Sequence, residues 1–292
     1  MIQLSGTGVA LVTPFYPDGR IDYDSLTRLV QHVTEGGVEF LVVLGTTGES
    51  VTLSPEERRE VTEHVLGVNA SRLPVVLGVG GNNTSEVVRT LNAMDPKGIS
   101  AVLSVSPYYN KPQQEGIFQH FKAVAEASPL PVIIYNVPSR TSSNISASTT
   151  LRLAREVPGI IGVKEASGNM VQCMEILRDR PQGFLVLSGD DVLTMPLVAL
   201  GADGVISVVA NPYPRQFSEM VRLERQGKTP DARAIHYRLL EFIELLFADG
   251  NPSGAKAALE VLGICGNHLR LPLVQVTHGV YQQLVRCMAQ LA

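Results

Sequence analysis

Lys164 is the residue whose surroundings most clearly predict chemistry in this chain. It lies in the apolar segment Ile160–Ala166, which has the composition of a buried strand. Burial disfavours an ammonium ion and lowers the pKa of lysine, so a neutral amine becomes available near neutral pH. Such an amine attacks a carbonyl carbon and forms a Schiff base. The alternative is a structural lysine whose side chain reaches solvent from the strand end.

Three further polar segments, Gly45–Ser50, Ser106–Pro112 and Tyr135–Thr141, each follow an apolar run. The first offers hydroxyls and free amides between glycines, which suit a carboxylate. The other two carry tyrosines that can transfer protons, and the last also carries Arg140, whose guanidinium can bind a carboxylate through two hydrogen bonds. Each segment alone is also consistent with an ordinary turn or a packing residue. Together with Lys164 they predict a lysine-dependent aldolase site for an α-keto acid.

Asp190 and Asp191 follow Gly189 and form the only adjacent acidic pair after a strand-like run. We interpret them as caps of the following helix, because adjacent carboxylates diverge on a helix and no third ligand is evident. The six histidines and three cysteines are dispersed, with no metal-ligand spacing. The sequence therefore predicts no structural or catalytic transition metal.

Eight short apolar runs alternate with amphipathic segments, which predicts an α/β fold of the (β/α)8 TIM-barrel class. Beyond residue 225 the strand pattern ends, and we expect a catalytic barrel over residues 1–225 and a helical C-terminal domain over residues 226–292. A doubly wound nucleotide-binding fold is disfavoured because Gly78–Asn83 lacks the last glycine of the fingerprint. The predicted strands are Val9–Val12, Phe40–Leu44, Val75–Val79, Ala101–Val105, Val132–Tyr135, Ile160–Lys164, Phe184–Leu187 and Val205–Val208.

The composition narrows the class of protein further. With 292 residues and 45% hydrophobic content, the chain can bury a large core. Its net charge of −4 comes with scattered basic residues, which argues against nucleic acid or membrane-surface partners. No signal peptide or membrane-spanning segment is evident, and the odd cysteine number favours reduced thiols. We therefore expect a soluble cytoplasmic enzyme.

Three motifs closely resemble those of the dihydrodipicolinate synthase family, and the resemblance extends over essentially the whole chain. They are Gly45–Glu49, Tyr135–Thr141 and Gly162–Asn169. The family joins pyruvate to L-aspartate 4-semialdehyde in the first committed step of diaminopimelate and lysine biosynthesis, without metal or organic cofactor. The resemblance also implies a tight dimer, with dimers pairing into a homotetramer.

The resemblance implies a role for each matching residue. Lys164 corresponds to the lysine that forms the imine, and Tyr135 to the tyrosine that moves protons. Thr47 and Tyr109 correspond to the other members of a hydroxyl relay, with Tyr109 reaching the neighbouring subunit's site. The substrate-binding positions are Thr46 and Thr47 for the pyruvate carboxylate, Arg140 for the aldehyde's carboxylate, and Gly189 and Ile206 in the pocket wall.

Two alternatives remain open from the sequence. N-acetylneuraminate lyases and keto-deoxy sugar acid aldolases use an equivalent lysine and tyrosine, and Arg140 in its Ser-Arg-Thr context separates this chain from them. A catalytically silent barrel that only binds a keto acid would need neither the amine nor the relay.

The resemblance also suggests an allosteric site for L-lysine. Its positions correspond to Ser50, Asn82, Glu86 and Tyr108. Where many lysine-sensitive relatives carry histidines, this chain has Pro55 and Arg58. We therefore expect weak or absent feedback inhibition.

Overall fold

The computed structural model describes residues 4–291, and its centre is a closed barrel of eight parallel strands in sequential order. This confirms the (β/α)8 prediction. Each strand pairs with the next along the chain, and β8 closes the barrel on β1. The strands are β1 Gly6–Ala10, β2 Phe40–Val43, β3 Val75–Gly78, β4 Ala101–Val105, β5 Val132–Asn136, β6 Ile160–Glu165, β7 Leu185–Ser188 and β8 Gly204–Ser207.

The first strand begins three residues earlier than predicted. The apolar run Val9–Val12 suggested its position, but the pairing with β8 starts at Gly6 opposite Gly204. A Cβ on Gly204 would lie only 1.9 Å from the carbonyl oxygen of Gly6, so the backbones approach too closely there for a side chain. Glycine has low strand propensity, which is why the pattern placed the strand too late.

Eight α-helices lie between β1 and β8 along the chain. Ser54 caps α2 through a capping box with Glu57, and Ser146 caps α6, as the sequence indicates. Before α3 the capping side chain is Asn83. These helices are α1 Tyr23–Glu35, α2 Pro55–Asn69, α3 Thr84–Asn92, α4 Gln114–Ala127, α5 Pro138–Thr141, α6 Ala147–Glu156, α7 Met170–Asp179 and α8 Thr194–Ala199.

Four further helices follow β8: α9 Pro214–Arg225, α10 Thr229–Phe247, α11 Ser253–Val261 and α12 His278–Leu291. Helix α10 packs on α8 and α9 as well as on α11 and α12, so the C-terminal helices are continuous with the barrel's outer layer. The division at residue 225 therefore stays an interpretation of the sequence. Among the helices within residues 4–291, none is both long and apolar enough to cross a lipid bilayer.

Two packed layers hold the site in place. One apolar cluster fills the barrel and includes Phe40, Ile133 and Ile206, and a larger one lies between the strands and the helices. The three cysteines are buried free thiols, as expected for a reduced protein.

Candidate active site

A cavity of about 410 Å³ opens at the carboxyl ends of the strands. This is the end of a (β/α)8 barrel at which active sites are found. Polar groups predicted from separate parts of the sequence meet in its wall. Those that line it are Thr46, Thr47, Tyr135, Arg140, Lys164 and Gly189, together with Asp190, Glu244 and Asn251.

Lys164 is buried at the end of β6, opposite Tyr135 of β5 in the strand register. Its Nζ lies 4.3 Å from the centre of the Tyr135 ring. Gly189 makes room for this side chain, since a Cβ there would come within 2.9 Å of Lys164 Cε. A residue with a side chain at position 189 would therefore collide with the Lys164 side chain.

Burial lowers the pKa of Lys164 to about 8. The nearby Asp191 carboxylate opposes this shift, and the Arg140 guanidinium adds to it. At neutral pH a usable fraction of the amine is neutral, which is what nucleophilic attack on a carbonyl requires.

The Tyr135 ring lies against this amine, and burial raises the pKa of the Tyr135 hydroxyl to about 12. The Arg140 charge and a hydrogen bond with Thr46 act in the opposite direction. The phenol therefore stays protonated. Thr46 is exposed and close enough to affect the Tyr135 hydroxyl, while Thr47 is buried. Thr47 as the relay partner of Tyr135 stays a prediction, and Thr46 is a second candidate for that role.

Thr47 and Arg140 both contact Asn251, in the loop between α10 and α11. The Asn251 side-chain Nδ2 donates to Thr47 Oγ1 at 2.9 Å, and its carbonyl oxygen accepts from Arg140 Nη2 at 3.3 Å. The two groups that the sequence associates with carboxylates are thus joined through one residue of the C-terminal region.

The loop that carries Thr46 and Thr47 is anchored from its buried side. Glu49 has a φ of 50°, an unfavourable conformation for a residue with a side chain. Its carboxylate accepts from Lys256 Nζ and from the backbone N–H of Arg270 at 3.1 Å. Thr13 Oγ1 also donates to the carbonyl of Gly48 at 2.7 Å. These contacts hold the loop in one conformation.

The interpretation of Asp191 as a helix cap is wrong. Its carboxylate accepts from Ser207 Oγ at 2.5 Å and from the backbone N–H of Val208 at 3.0 Å, so it joins the end of β7 to the end of β8. Helix α8 begins after Leu193 without a side-chain cap. The sequence suggested a cap because Asp is common there. The carboxylate is instead buried and accepts from three donors at the end of the neighbouring strand β8, which compensates for its burial.

Two predicted site residues do not line this cavity. Ile206 is 1% exposed and packs in the apolar cluster inside the barrel, below the pocket. Tyr109 is 88% exposed, with a φ of 71°, on the loop after β4. The pocket of this chain therefore lacks the Tyr109 hydroxyl, and any role for it depends on another subunit.

Two hydrogen bonds involve the residues predicted to bind L-lysine, which lie in the segments after β2, β3 and β4. Arg58 Nε donates to the carbonyl of Ser50 at 2.9 Å, so its charge lies beside one of these positions. Asn82 Nδ2 donates to the carbonyl of Tyr108 at 3.2 Å.

Sequence reasoning missed the contribution of the C-terminal region to the pocket. Ile243, Glu244 and Phe247 of α10 and the nearby Asn251 line it, although no motif marks them. Their helical periodicity predicted the helix but could not show which face meets the barrel.

Comparisons with known proteins find similar sequences over nearly the whole chain. Residues 3–291 match the model of the dihydrodipicolinate synthetase family. A 4-hydroxy-tetrahydrodipicolinate synthase of Flavobacterium psychrophilum is 54% identical over 279 residues, which covers 96% of this chain and 95% of that protein.

Solved structures are similar over the same extent. The crystal structure of dihydrodipicolinate synthase from Aquifex aeolicus superposes with a TM-score of 0.95 at 41% identity, and covers 99% of this chain and 98% of that one. A monomeric dihydrodipicolinate synthase variant gives a TM-score of 0.96 at 37% identity, with 99% and 97% covered.

Proposed function

This chain belongs to the dihydrodipicolinate synthetase family, and from that membership and the geometry of the pocket we propose that it is a 4-hydroxy-tetrahydrodipicolinate synthase. It condenses pyruvate with L-aspartate 4-semialdehyde in the first committed step of diaminopimelate and lysine biosynthesis. The observation that carries the proposal is Lys164, a buried amine of lowered pKa that lies against the Tyr135 ring.

Lys164 is the nucleophile of the proposed mechanism. Its neutral amine adds to the carbonyl carbon of pyruvate, and loss of water gives an imine that draws electrons from the methyl group. A methyl proton then passes to a base in the pocket, the resulting enamine carbon attacks the aldehyde carbon of the second substrate, and the aldehyde oxygen takes up a proton. The amino group of that substrate then adds to the imine carbon and displaces Lys164, which closes the ring and regenerates the free amine. Tyr135 supplies and removes protons at the carbonyl oxygen, and Thr46 connects its hydroxyl to the pocket.

The two carboxylates have separate binding groups in this proposal. The loop with Thr46 and Thr47 holds the carboxylate of pyruvate, close to the Lys164 amine in the same cavity. Arg140 holds the carboxylate of the aldehyde at the rim, where its side chain is exposed. Gly189 leaves space for the imine, and Ile206 supports the pocket from below.

We also propose a homotetramer built from two tight dimers, in which Tyr109 completes the relay of the neighbouring subunit. Its exposure of 88% on a single chain supports this role.

Hybrid dimers test the contribution of Tyr109 to the neighbouring site: mixing a Lys164→Arg variant with a Tyr109→Phe variant should restore one intact site in each hybrid. Activity that stays at the sum of the two parents contradicts the exchange of Tyr109, and sedimentation gives the assembly state.

The test of the function is borohydride reduction in the presence of pyruvate, followed by intact mass and peptide mapping. We expect a single adduct on Lys164 and full loss of it in Lys164→Arg, because a guanidinium stays protonated. The chain provides an internal control in Lys256, a second buried lysine. Burial lowers its pKa, but the contact with Glu49 opposes this, and it lies outside the cavity. An adduct on Lys256, or none, contradicts the mechanism.

Activity assays on the unreduced protein distinguish the alternative functions. Sugar acids such as N-acetylneuraminate should not be cleaved, whereas aspartate semialdehyde should be consumed together with pyruvate. A silent keto-acid-binding barrel would bind pyruvate without the reducible adduct.

A further inference from the structure

Asn251 lies between the two carboxylate-binding groups of the proposed reaction. Its side chain hydrogen-bonds Thr47, and its backbone carbonyl hydrogen-bonds Arg140. It is 9% exposed and lines the cavity, although it is distant in sequence from every motif. The contacts therefore connect the C-terminal region to both halves of the pocket.

The direction of the hydrogen bond to Thr47 matters. An amide nitrogen only donates, so Thr47 Oγ1 accepts, and its own proton remains available for another acceptor. The opposite amide orientation would bury an N–H group without an acceptor, which is less favourable than a buried oxygen without a donor. In the orientation present, the oxygen Oδ1 is the buried atom without a partner.

Different residues hold the backbone and the side chain of Thr47. Glu49, Lys256 and Thr13 fix the backbone of its loop. Within residues 4–291, the hydrogen bond from Asn251 is the one that the Thr47 hydroxyl makes with another side chain. Asn251 thus decides where the Thr47 hydroxyl proton can point.

We propose that Asn251 is a positioning residue: it polarises the Thr47 hydroxyl so that this group donates to the carboxylate of pyruvate, and it aligns Arg140 for the second substrate. The inference rests on the proposed condensation and goes beyond it in assigning a role to the C-terminal region. Because the side chain acts on Thr47 while only the backbone acts on Arg140, side-chain substitutions should affect pyruvate more than the aldehyde.

Two substitutions test the direction of the hydrogen bond from Asn251 to Thr47. Asn251→Ala removes the donor, and the pyruvate concentration that gives half-maximal borohydride trapping should rise roughly two- to twelvefold. Asn251→Asp replaces the donor by an acceptor that competes for the Thr47 proton and repels the pyruvate carboxylate. Its half-saturating concentration should rise at least about tenfold. The KM for aspartate semialdehyde should change less than the KM for pyruvate in both variants.

A matched control separates positioning from folding. Asn267 is 3% exposed and lies in the same region but not in the cavity wall, so Asn267→Asp makes the same chemical change elsewhere. It should lower the thermal midpoint without moving the half-saturating pyruvate concentration. An equal shift in Asn267→Asp means that general destabilisation causes the effect, and this overturns the role of Asn251.

A double-mutant cycle with Thr47→Val isolates the interaction between Asn251 and Thr47. In that background Asn251→Ala should change the half-saturating concentration by less than about 1.5-fold, because the hydroxyl on which it acts is gone. A full effect there contradicts the inference. Absence of the adduct in the unaltered protein contradicts the proposed function as well, whereas a normal adduct with unchanged half-saturation in both Asn251 variants contradicts only the role of Asn251.

Discussion

Lys256 and Glu49 form an ion pair that is completely enclosed by protein. Nζ lies 2.5 Å from Oε1, and neither side chain has any exposed area. Lys256 Nζ also donates to the carbonyl of His268 at 2.7 Å and lies 4.1 Å from the centre of the Phe15 ring. The pair joins α11 to the loop that carries Thr46 and Thr47, so it couples the stability of the C-terminal region to the shape of the pocket.

Removing one member of this pair should be strongly destabilising. Lys256→Met leaves the Glu49 carboxylate buried without its counter-ion, and we expect a loss of about 3–5 kcal/mol in the free energy of unfolding. The combined change with Glu49→Leu removes both charges and should recover much of that loss. Chemical denaturation measures both. Arg59→Met is the control, since the Arg59–Glu63 pair is about two-thirds exposed and should contribute below about 1 kcal/mol. Equal losses in the two single variants would contradict the importance of burial.

Imine formation should depend on pH through Lys164. Its pKa is lowered to about 8, so the neutral, reactive fraction grows as the pH rises towards that value. The trapping rate at low pyruvate should increase about tenfold per pH unit below 7 and level off above about 9. A profile that still rises steeply between pH 9 and 10.5 indicates an unperturbed lysine.

Asp191 should determine the pH range over which the trapping rate rises. Its charge raises the pKa of Lys164 against the effect of burial. Asp191→Asn keeps the shape: its amide oxygen can accept from the backbone N–H of Val208, and its amide nitrogen can donate to Ser207 Oγ, which takes the place of the bond that Ser207 donates to the carboxylate. The profile of this variant should shift to lower pH, and trapping rates measured from pH 5 to 9 show it. A shift to higher pH has the opposite sign and rules out this electrostatic role.

Arg140 should separate the two substrates. Arg140→Ala removes a charge-assisted hydrogen bond to the aldehyde's carboxylate, which costs roughly 1.5–3 kcal/mol, or about ten- to hundredfold in kcat/KM for that substrate. Because the Arg140 charge also lowers the pKa of Lys164, trapping with pyruvate is compared at pH 9, where the amine is mostly neutral. Pyruvate trapping should then be nearly unchanged. Equal losses in both half-reactions would make Arg140 structural.

L-Lysine should inhibit this enzyme weakly. Arg58 contacts the carbonyl of Ser50, so a fixed positive charge lies beside the predicted lysine-binding positions. Two like charges about 4 Å apart cost about 1 kcal/mol in water and about 4 kcal/mol at an effective dielectric of 20. Steady-state assays with lysine up to millimolar concentrations measure the effect. Arg58→His should increase inhibition, whereas the neighbouring change Arg59→His should not. Strong inhibition of the unaltered protein at sub-millimolar lysine contradicts this prediction.

The local pattern of the sequence predicted the eight strands of the barrel and pointed to Lys164 as the candidate nucleophile. Apolar runs such as Ala101–Val105 match the strand in the structure because parallel barrel strands are buried on both faces. The motif residues Lys164, Tyr135 and Arg140 follow such runs, and the carboxyl ends of all barrel strands meet at one face. Their meeting in one cavity was therefore predictable from position alone.

Only the tertiary structure decided which hydroxyl faces which partner. Thr46 and Thr47 are neighbours of identical type, and the 3₁₀ turn over Thr46–Gly48 directs one to Tyr135 and buries the other against Asn251. The roles of Asp191, Asn251 and the Lys256–Glu49 pair likewise depend on contacts across the barrel or with the C-terminal region. Residue type and spacing predict local structure only. These contacts join positions as much as 207 residues apart, and only tertiary packing brings such positions together.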